Sequence, residues 1–137
     1  MRRIEGFTLW VGHLGDIANP RAIVETGIVA IVDFALEESP ATLPRDLTYC
    51  RFPLIGGPGN SASVIRAAAE TVACFLRLST PTLVCCGAGM SRSPCIAGAA
   101  IALARRYSFD DALKLVSSSG PVHVAPGLWA DVRMALG

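Results

Sequence analysis

The stretch that most restricts the fold of this chain is a glycine-bearing loop between two apolar segments. The loop, "GAGMSRS" at 87–93, follows the short run "TLVCC" at 82–86. Residues 93–107 after it are apolar on nearly all sides, which predicts a buried helix, whereas the short run before it predicts a buried strand. A buried strand that turns directly into a buried helix is typical of an α/β domain.

The other segments of the chain fit the same class of fold. Further strands are predicted from "FTLWVGHL", from residues 28–34 and from "LTYCRFP". Helices are predicted from "NPRAIVETG", from residues 61–78, and from "SFDDALKLV" and "PGLWADVRMAL". Because strands alternate with helices, the sequence predicts one domain over residues 1–137, with a mostly parallel central sheet flanked by helices.

Composition excludes several classes of function. The chain has 137 residues, 52% hydrophobic and 17% charged, so it can bury a core. A formal net charge of +1 gives no electrostatic support for binding nucleic acid or an anionic membrane. The longest apolar run stops at Arg105, short of a membrane span, and the first ten residues lack an apolar signal segment. We therefore expect a cytoplasmic protein.

The five cysteines do not form a recognisable framework. They contain no CxxC pair, and the two histidines do not complete a zinc spacing, so the spacing predicts no zinc site. In a chain expected in the cytoplasm, thiols are favoured over disulfides. We interpret Cys50, Cys74 and Cys95 as small buried hydrophobic residues.

The loop at 87–93 has the composition of an anion site. Gly87 and Gly89 allow a tight turn in which successive N–H groups point inward, and the positive end of the following helix adds to their field. A cysteine beside such a field favours the thiolate form, which fits Cys86. The planar fork of Arg92 can grip two phosphate oxygens. The residues thus predict a phosphate-binding loop with a nucleophile at its base, between a buried strand and a buried helix.

Other glycine-rich loops fit less well. A nucleotide-binding P-loop requires Gly-Lys-Ser or Gly-Lys-Thr, and this loop has "MSRS". A dinucleotide-binding fingerprint requires a third glycine where Arg92 stands, and a strand after the helix, where "SFDDALKLV" predicts another helix. A plain strand-to-helix turn around a buried cysteine is the remaining structural alternative.

The motif "CGAGMSRS" (86–93) resembles the catalytic loop of the dual-specificity protein phosphatases, in the cysteine-dependent protein tyrosine phosphatase superfamily. "LWVGHLGDIANPRAIVETGIVAIVDFA" is similar to the opening strand, short helix and second strand of that family. "LTYCRFPLIG" resembles its third strand, and "SFDDALKLVSSSGPVHVAPGLWADV" its C-terminal helices. The resemblance covers most of the chain.

This resemblance implies a role for each residue of the loop. Cys86 is the nucleophile that forms a phosphocysteine, Arg92 clamps the phosphate, and the Ser93 hydroxyl assists the thiolate as leaving group. The phosphate oxygens are bound at Gly87, Ala88, Gly89, Met90, Ser91 and Arg92. The implied partner is a phosphorylated protein or peptide, with phosphate or sulfate held in the same loop. No metal or cofactor is implied.

Three positions depart from the family pattern. The family has His immediately before the nucleophile, where this chain has Cys85. The family has Asn before the last helix, where Ala125 stands. Most importantly, the family's general acid is an Asp after the third strand, and the matching position here is Gly56 or Gly57. No carboxylate lies between Asp46 and Glu70.

Few other side chains could take over the role of the missing acid. Asp33 is the best candidate, although we favour a strand-end carboxylate bonded to backbone. We expect Glu37 and Glu38 on a solvated surface loop, and Asp46 at a strand start away from the site. His13 and His123 are interpreted as structural or exposed residues. Trp10 and Trp129 are interpreted as packing residues.

Three functions follow from these patterns. The first is a phosphatase for phosphotyrosine, with phosphoserine and phosphothreonine as further substrates. The second is a pseudophosphatase-like module that binds phosphorylated proteins with little turnover, which the missing acid favours. The third is a phosphatase for phosphoinositides, which ranks lower because Ala88 and Met90 add no basic side chain for a polyanionic head group.

Overall fold

The computed structural model describes all residues from 1 to 137. Its strands are β1 (Arg2–Arg3), β2 (Leu9–His13), β3 (Ala30–Ala35), β4 (Thr48–Leu54) and β5 (Thr82–Cys86). Its helices are α1 (Leu14–Ile17), α2 (Pro20–Thr26), α3 (Ala62–Arg77), α4 (Arg92–Arg105), α5 (Phe109–Ser118) and α6 (Pro126–Leu136).

The strands form one sheet in the order β1-β2-β5-β3-β4. The pairs β2–β5, β5–β3 and β3–β4 are parallel, and only β1 runs antiparallel to its neighbour β2. The strand β5, which is the last in the chain, therefore lies in the centre of the sheet and is buried along its whole length. The mostly parallel sheet flanked by helices confirms the fold class predicted from the sequence.

Helices cover both faces of the sheet and form two separate cores. The larger core packs α3, α4, α5 and α6 against one face, and Cys86 belongs to it. The smaller core lies under α1 and α2 on the other face and includes Ile23, Leu83 and Cys85. Because successive strand residues point to opposite faces, the adjacent thiols of Cys85 and Cys86 lie in different cores.

The predicted helix starts and stops are largely confirmed. Asn19 caps α2, and Gly27 ends it with a φ of +90° in the left-handed region, where glycine is favoured. The Ser108 side chain accepts a hydrogen bond from the N–H of Asp111 at the start of α5. In α4, the predicted buried helix, every residue from Ser93 to Ala102 is buried.

Two short elements were not predicted. The strand β1 has two residues and α1 has four, which is too short for a hydrophobic period to be visible. The start of α1 is fixed by His13, whose Nδ1 accepts from Gly15 N, while Asp16 accepts from the N–H of His13. This capping box uses a His–Asp pair instead of the Ser/Thr–Glu pattern that a sequence search recognises.

The interpretation of the minor cysteines is correct for one of three. Cys95 is buried in α4, but Cys74 is exposed and Cys50 is partly buried. Cys74 lies on the solvent side of α3, whose inner face is formed by Ile65, Ala69, Val72 and other apolar residues. No helix of the structure combines the length and apolarity that crossing a membrane requires.

Candidate active site

The predicted phosphate-binding loop lies at the carboxyl end of the central strand. Cys86 is the last residue of β5 and is only 2% exposed, and α4 begins at Arg92. Because β5 pairs with β2 on one side and with β3 on the other, the loop that follows β5 has a strand end on each side of it. The carboxyl edge of a parallel sheet is where ligands bind in such folds.

Two glycines in the loop are required by its close surroundings. Gly89 has a φ of +72°, and a Cβ atom there would lie 2.6 Å from the carbonyl oxygen of Gly12. A Cβ atom at Gly87 would lie 3.0 Å from Oε1 of Glu37. A larger residue at Gly89 would force the loop away from β2, and one at Gly87 would displace the Glu37 carboxylate.

The loop is held through its acceptors, and its donors are left free. The N–H of Leu14 donates to Gly87 O at 3.5 Å, and that of His123 to Met90 O at 2.6 Å. The N–H of Ala125 donates to the Ser91 hydroxyl oxygen at 3.1 Å. None of the N–H groups of residues 87–91 donates to another group of the protein. Unpaired donors gathered in one anchored loop are suited to an anion.

The guanidinium of Arg92 is fixed at the edge of this loop. Its Nη2 and Nη1 donate to the two carboxylate oxygens of Glu37 at 2.6 and 2.7 Å. Nη1 also reaches the carbonyl oxygens of Leu54 at 3.1 Å and Phe34 at 3.4 Å. Hydrogen bonding to Glu37 raises the pKa of Arg92, burial opposes the rise, and the charge of the neighbouring Cys86 adds to it. The side chains of Cys86 and Arg92 are therefore within electrostatic reach of each other.

The strand pair β3–β4 contains an irregularity just before Leu54, whose carbonyl bonds to Arg92. The register shifts between Asp33, which pairs with Arg51, and Ala35, which pairs with Leu54. The extra residue falls next to Pro53, which has no N–H for the ladder. Pairing resumes at Leu54, the last residue of β4, and its carbonyl accepts a hydrogen bond from the arginine.

Glu37 lies on an exposed loop, as the sequence predicted, but it has a contact that the sequence did not predict. Its carboxylate forms the bidentate pair with Arg92 and is half exposed. The hydrogen bond from Arg92 lowers the pKa of Glu37 to about 2, so it is ionised at neutral pH. The two residues are 55 positions apart, and no local pattern in the sequence connects them.

Cys85 and Ser93, which flank the loop, are both buried. The Sγ atom of Cys85 lies 3.7 Å from the carbonyl oxygen of Val32, in the smaller core. Burial raises the pKa of Cys85 far above its ordinary value, with Asp33 as the next cause. The hydroxyl of Ser93 is fully buried and has no hydrogen-bond partner in the protein.

The Asp33 carboxylate forms its hydrogen bonds with groups outside the loop. Its Oδ1 accepts from the N–H of Ala35 at 2.9 Å, and its Oδ2 accepts from the Tyr49 hydroxyl at 2.7 Å. The carboxyl group is only 1% exposed. The structure thus supports the interpretation of Asp33 as a strand-end carboxylate bonded to backbone, and not as a proton donor.

The loop at 55–60, where the resemblance implies a general acid, is compact and carries no carboxylate at its tip. Asn60 closes it, through hydrogen bonds with the N–H and carbonyl of Ile55 and with the carbonyl of Gly57. Asp131 of α6 accepts from the N–H of Gly59 at 2.9 Å. Side chains would have open space at both Gly56 and Gly57.

The remaining residues singled out from the sequence have structural surroundings. Trp10 lies under the guanidinium of Arg3, and Trp129 packs edge-on against Phe109. His13 caps α1, and His123 is exposed, with its backbone bonded to the loop. No group of three or more His, Cys, Asp or Glu side chains is placed to hold a metal ion.

Comparison with known proteins identifies the fold. No protein-family model matches the chain, and no curated protein matches its sequence. Human DUSP28 superposes with a TM-score of 0.86 at 19% identity, over 98% of this chain and 94% of that one. A mouse dual-specificity phosphatase complexed with zinc tungstate also gives 0.86, at 22% identity, over 98% and 85%. Human tyrosine phosphatase-like serine/threonine/tyrosine-interacting protein gives 0.83 at 18% identity, over 98% and 93%.

These similarities confirm the resemblance to the dual-specificity phosphatases at the level of the fold. The chain has the protein tyrosine phosphatase fold, and its loop at 87–91 lies between the strand and the helix that the sequence predicted.

Proposed function

We propose that this chain is a cysteine-dependent phosphatase that hydrolyses phosphotyrosine in proteins or peptides, with phosphoserine and phosphothreonine as poorer substrates. The observation that supports it best is the joint arrangement of three features. The N–H groups of residues 87–91 are unpaired, the Arg92 fork stands beside them, and Cys86 lies at the base of the loop. A thiol in that position faces the phosphorus of a phosphate held by the donors.

In the first step, the Cys86 sulfur attacks phosphorus, the bond from phosphorus to the ester oxygen breaks, and a phosphocysteine forms. The N–H groups of residues 87–91 and Arg92 bind the non-bridging oxygens, where negative charge must be stabilised. The departing phenolate takes a proton from water, because no neutral carboxyl group is at hand. In the second step, water displaces the sulfur, releasing inorganic phosphate, and its proton passes to solvent.

Two further contacts fit this mechanism. Glu37 binds the two terminal nitrogens of Arg92, Nη1 and Nη2, whereas Nε, on the side edge of the guanidinium, has no acceptor in the protein. That edge of the fork stays available to phosphate. The buried Ser93 hydroxyl, which has no partner, can donate to the Cys86 sulfur when it leaves phosphorus.

A second function, a module that binds phosphorylated proteins with little turnover, is favoured by one observation. The loop at 55–60 offers no proton donor, and Glu37 is ionised. A neighbour in fold is itself called a tyrosine phosphatase-like interacting protein. Cys86 and Ser93 favour the first function, because a binder needs neither a nucleophile nor a hydroxyl to support it.

Trapping the intermediate tests the proposal. We expect protein quenched in acid during turnover of p-nitrophenyl phosphate to carry phosphate on the peptide that contains Cys86, as detected by mass spectrometry. Turnover without any phosphocysteine would contradict the mechanism. Phosphate binding with neither turnover nor phosphocysteine would establish the binding module instead.

Oxidation should distinguish the two adjacent thiols. We expect mild peroxide to inactivate the protein through sulfenic acid at Cys86, and a dithiol to restore activity. Cys85 should not serve as the resolving thiol, because its Sγ lies in the other core, at Val32. Mass spectrometry of the oxidised protein tests this. A Cys85–Cys86 disulfide as the main product would contradict it.

A further inference from the structure

A polar cluster is formed by the buried Asp33 and the partly buried Tyr49 and Arg51, and it contacts the turn at residues 35–38, which carries Glu37. The Asp33 carboxylate accepts from Ala35 N and from the Tyr49 hydroxyl. Tyr49 in turn accepts from the N–H of Ala41 at 3.1 Å. Burial is the main cause that raises the pKa of Tyr49 to about 12, so the hydroxyl keeps the proton that it donates. The cluster therefore holds both ends of the segment after β3.

Arg51 connects this cluster to the turn. Its Nη2 donates to the carbonyl oxygen of Ala35 at 3.2 Å and also to that of Glu38. Its Nε lies 3.9 Å from Oδ2 of Asp33 and has no hydrogen-bond partner. The two carbonyls that it bridges lie on either side of Glu37 in the chain. One guanidinium thus fixes both ends of the short segment that presents the carboxylate to Arg92.

These contacts form a continuous chain from Asp33 to Arg92. Asp33, 1% exposed, fixes Arg51 by its charge, and Arg51 fixes the turn. The turn fixes Glu37, and Glu37 fixes two nitrogens of Arg92 at 2.6 and 2.7 Å. Residues in one such network couple energetically, whereas distant residues do not. Neither Asp33 nor Arg51 has a side-chain hydrogen bond to the loop at 87–91.

We propose that Asp33 and Arg51 are positioning residues, which hold Glu37 in place and thereby orient Arg92 for the phosphate. For catalysis the inference rests on the proposed phosphatase function, but for anion binding and for the order of Arg92 it does not. It also gives Asp33 a role that is separate from proton donation. Loss of Asp33 should lower rates equally for all leaving groups, because the orientation of Arg92 does not depend on the leaving group.

A double-mutant cycle between Arg51 and Glu37 tests the proposal. Arg51→Met should weaken binding of inorganic phosphate by about tenfold, measured by calorimetry. In a Glu37→Ala background the same change should alter the affinity by less than about twofold, because Arg92 then has no side-chain partner in the turn. Arg51→Lys should fall between wild type and Arg51→Met. Arg45→Met is the matched control, since Arg45 lies in the segment just before β4, is exposed, and has a side chain without hydrogen bonds.

A second readout does not require any phosphate to bind. The Nε–H resonance of Arg92 should be sharp in wild type and in Arg45→Met, and shifted and broadened in Arg51→Met. Equal effects of Arg51→Met in both backgrounds, tighter phosphate binding, or an unchanged Arg92 resonance would each overturn the proposal. If Arg51→Met does not fold, Arg51→Lys is taken through the same comparisons. Wild type that shows the Arg92 signals but no turnover would overturn the phosphatase function and leave the positioning role standing.

Discussion

Cys86→Ser is expected to abolish turnover of aryl phosphates while phosphate still binds to the loop. The serine hydroxyl remains protonated at neutral pH and is a poor nucleophile, so the rate should fall by a factor on the order of 10⁴–10⁶. Binding should survive because the substitution leaves the N–H groups of residues 87–91 and the pair of Arg92 with Glu37 in place. Turnover of p-nitrophenyl phosphate and calorimetry with phosphate measure the two properties separately.

Cys74→Ser is the matched control, because Cys74 is an exposed thiol on α3 and belongs to neither core. It should leave both turnover and phosphate binding unchanged. Full activity in Cys86→Ser would reject covalent catalysis. Loss of phosphate binding in that variant, with the fold intact, would mean that the sulfur itself is part of the anion site.

The centre of the site could be predicted because its parts are consecutive in the chain. A buried strand, a glycine-bearing loop and a buried helix together fix the place of Cys86 and of Arg92. The apolar run of β5 and the all-round apolarity of α4 are local patterns, and a parallel sheet gives the loop its place at the edge. Local sequence is sufficient where the chemistry lies within a few consecutive residues.

The support of the site could not be predicted, because it depends on pairs that are distant in sequence. Glu37 meets Arg92, and Arg51 meets the turn at 35–38, only after β3 has paired with both β4 and β5. The direction of Asp33 also depends on strand register, since a shift of one residue would turn its side chain to the other face. The elements β1 and α1 were missed for the separate reason that they are too short to show a period.

The largest remaining effect concerns the leaving group. Glu37 cannot donate a proton near neutral pH, because its pKa is about 2, and Asp33 is buried against Tyr49. We therefore expect activity on activated aryl phosphates, lower activity on phosphotyrosine peptides and almost none on phosphoserine. A general acid is worth about 10²–10⁴ in rate, and the loss should grow as the leaving group becomes more basic. Single-turnover rates over a series of substituted phenyl phosphates should depend steeply on leaving-group pKa, with no fall at high pH.

Restoring a carboxylate gives this prediction its sharpest test. The backbone at Gly56 and Gly57 is not in the left-handed region, and nothing lies within 4 Å of a Cβ atom built at either position. Gly56→Asp or Gly57→Asp should therefore raise the rate on phosphotyrosine peptides by up to about 10²-fold, leave p-nitrophenyl phosphate nearly unchanged and introduce a fall in rate at high pH. The matched Gly56→Asn and Gly57→Asn variants have the same shape without a transferable proton and should show none of these changes. A shallow dependence on leaving-group pKa in wild type that becomes steep in Asp33→Asn would instead make Asp33 the acid, since a positioning residue lowers all rates alike.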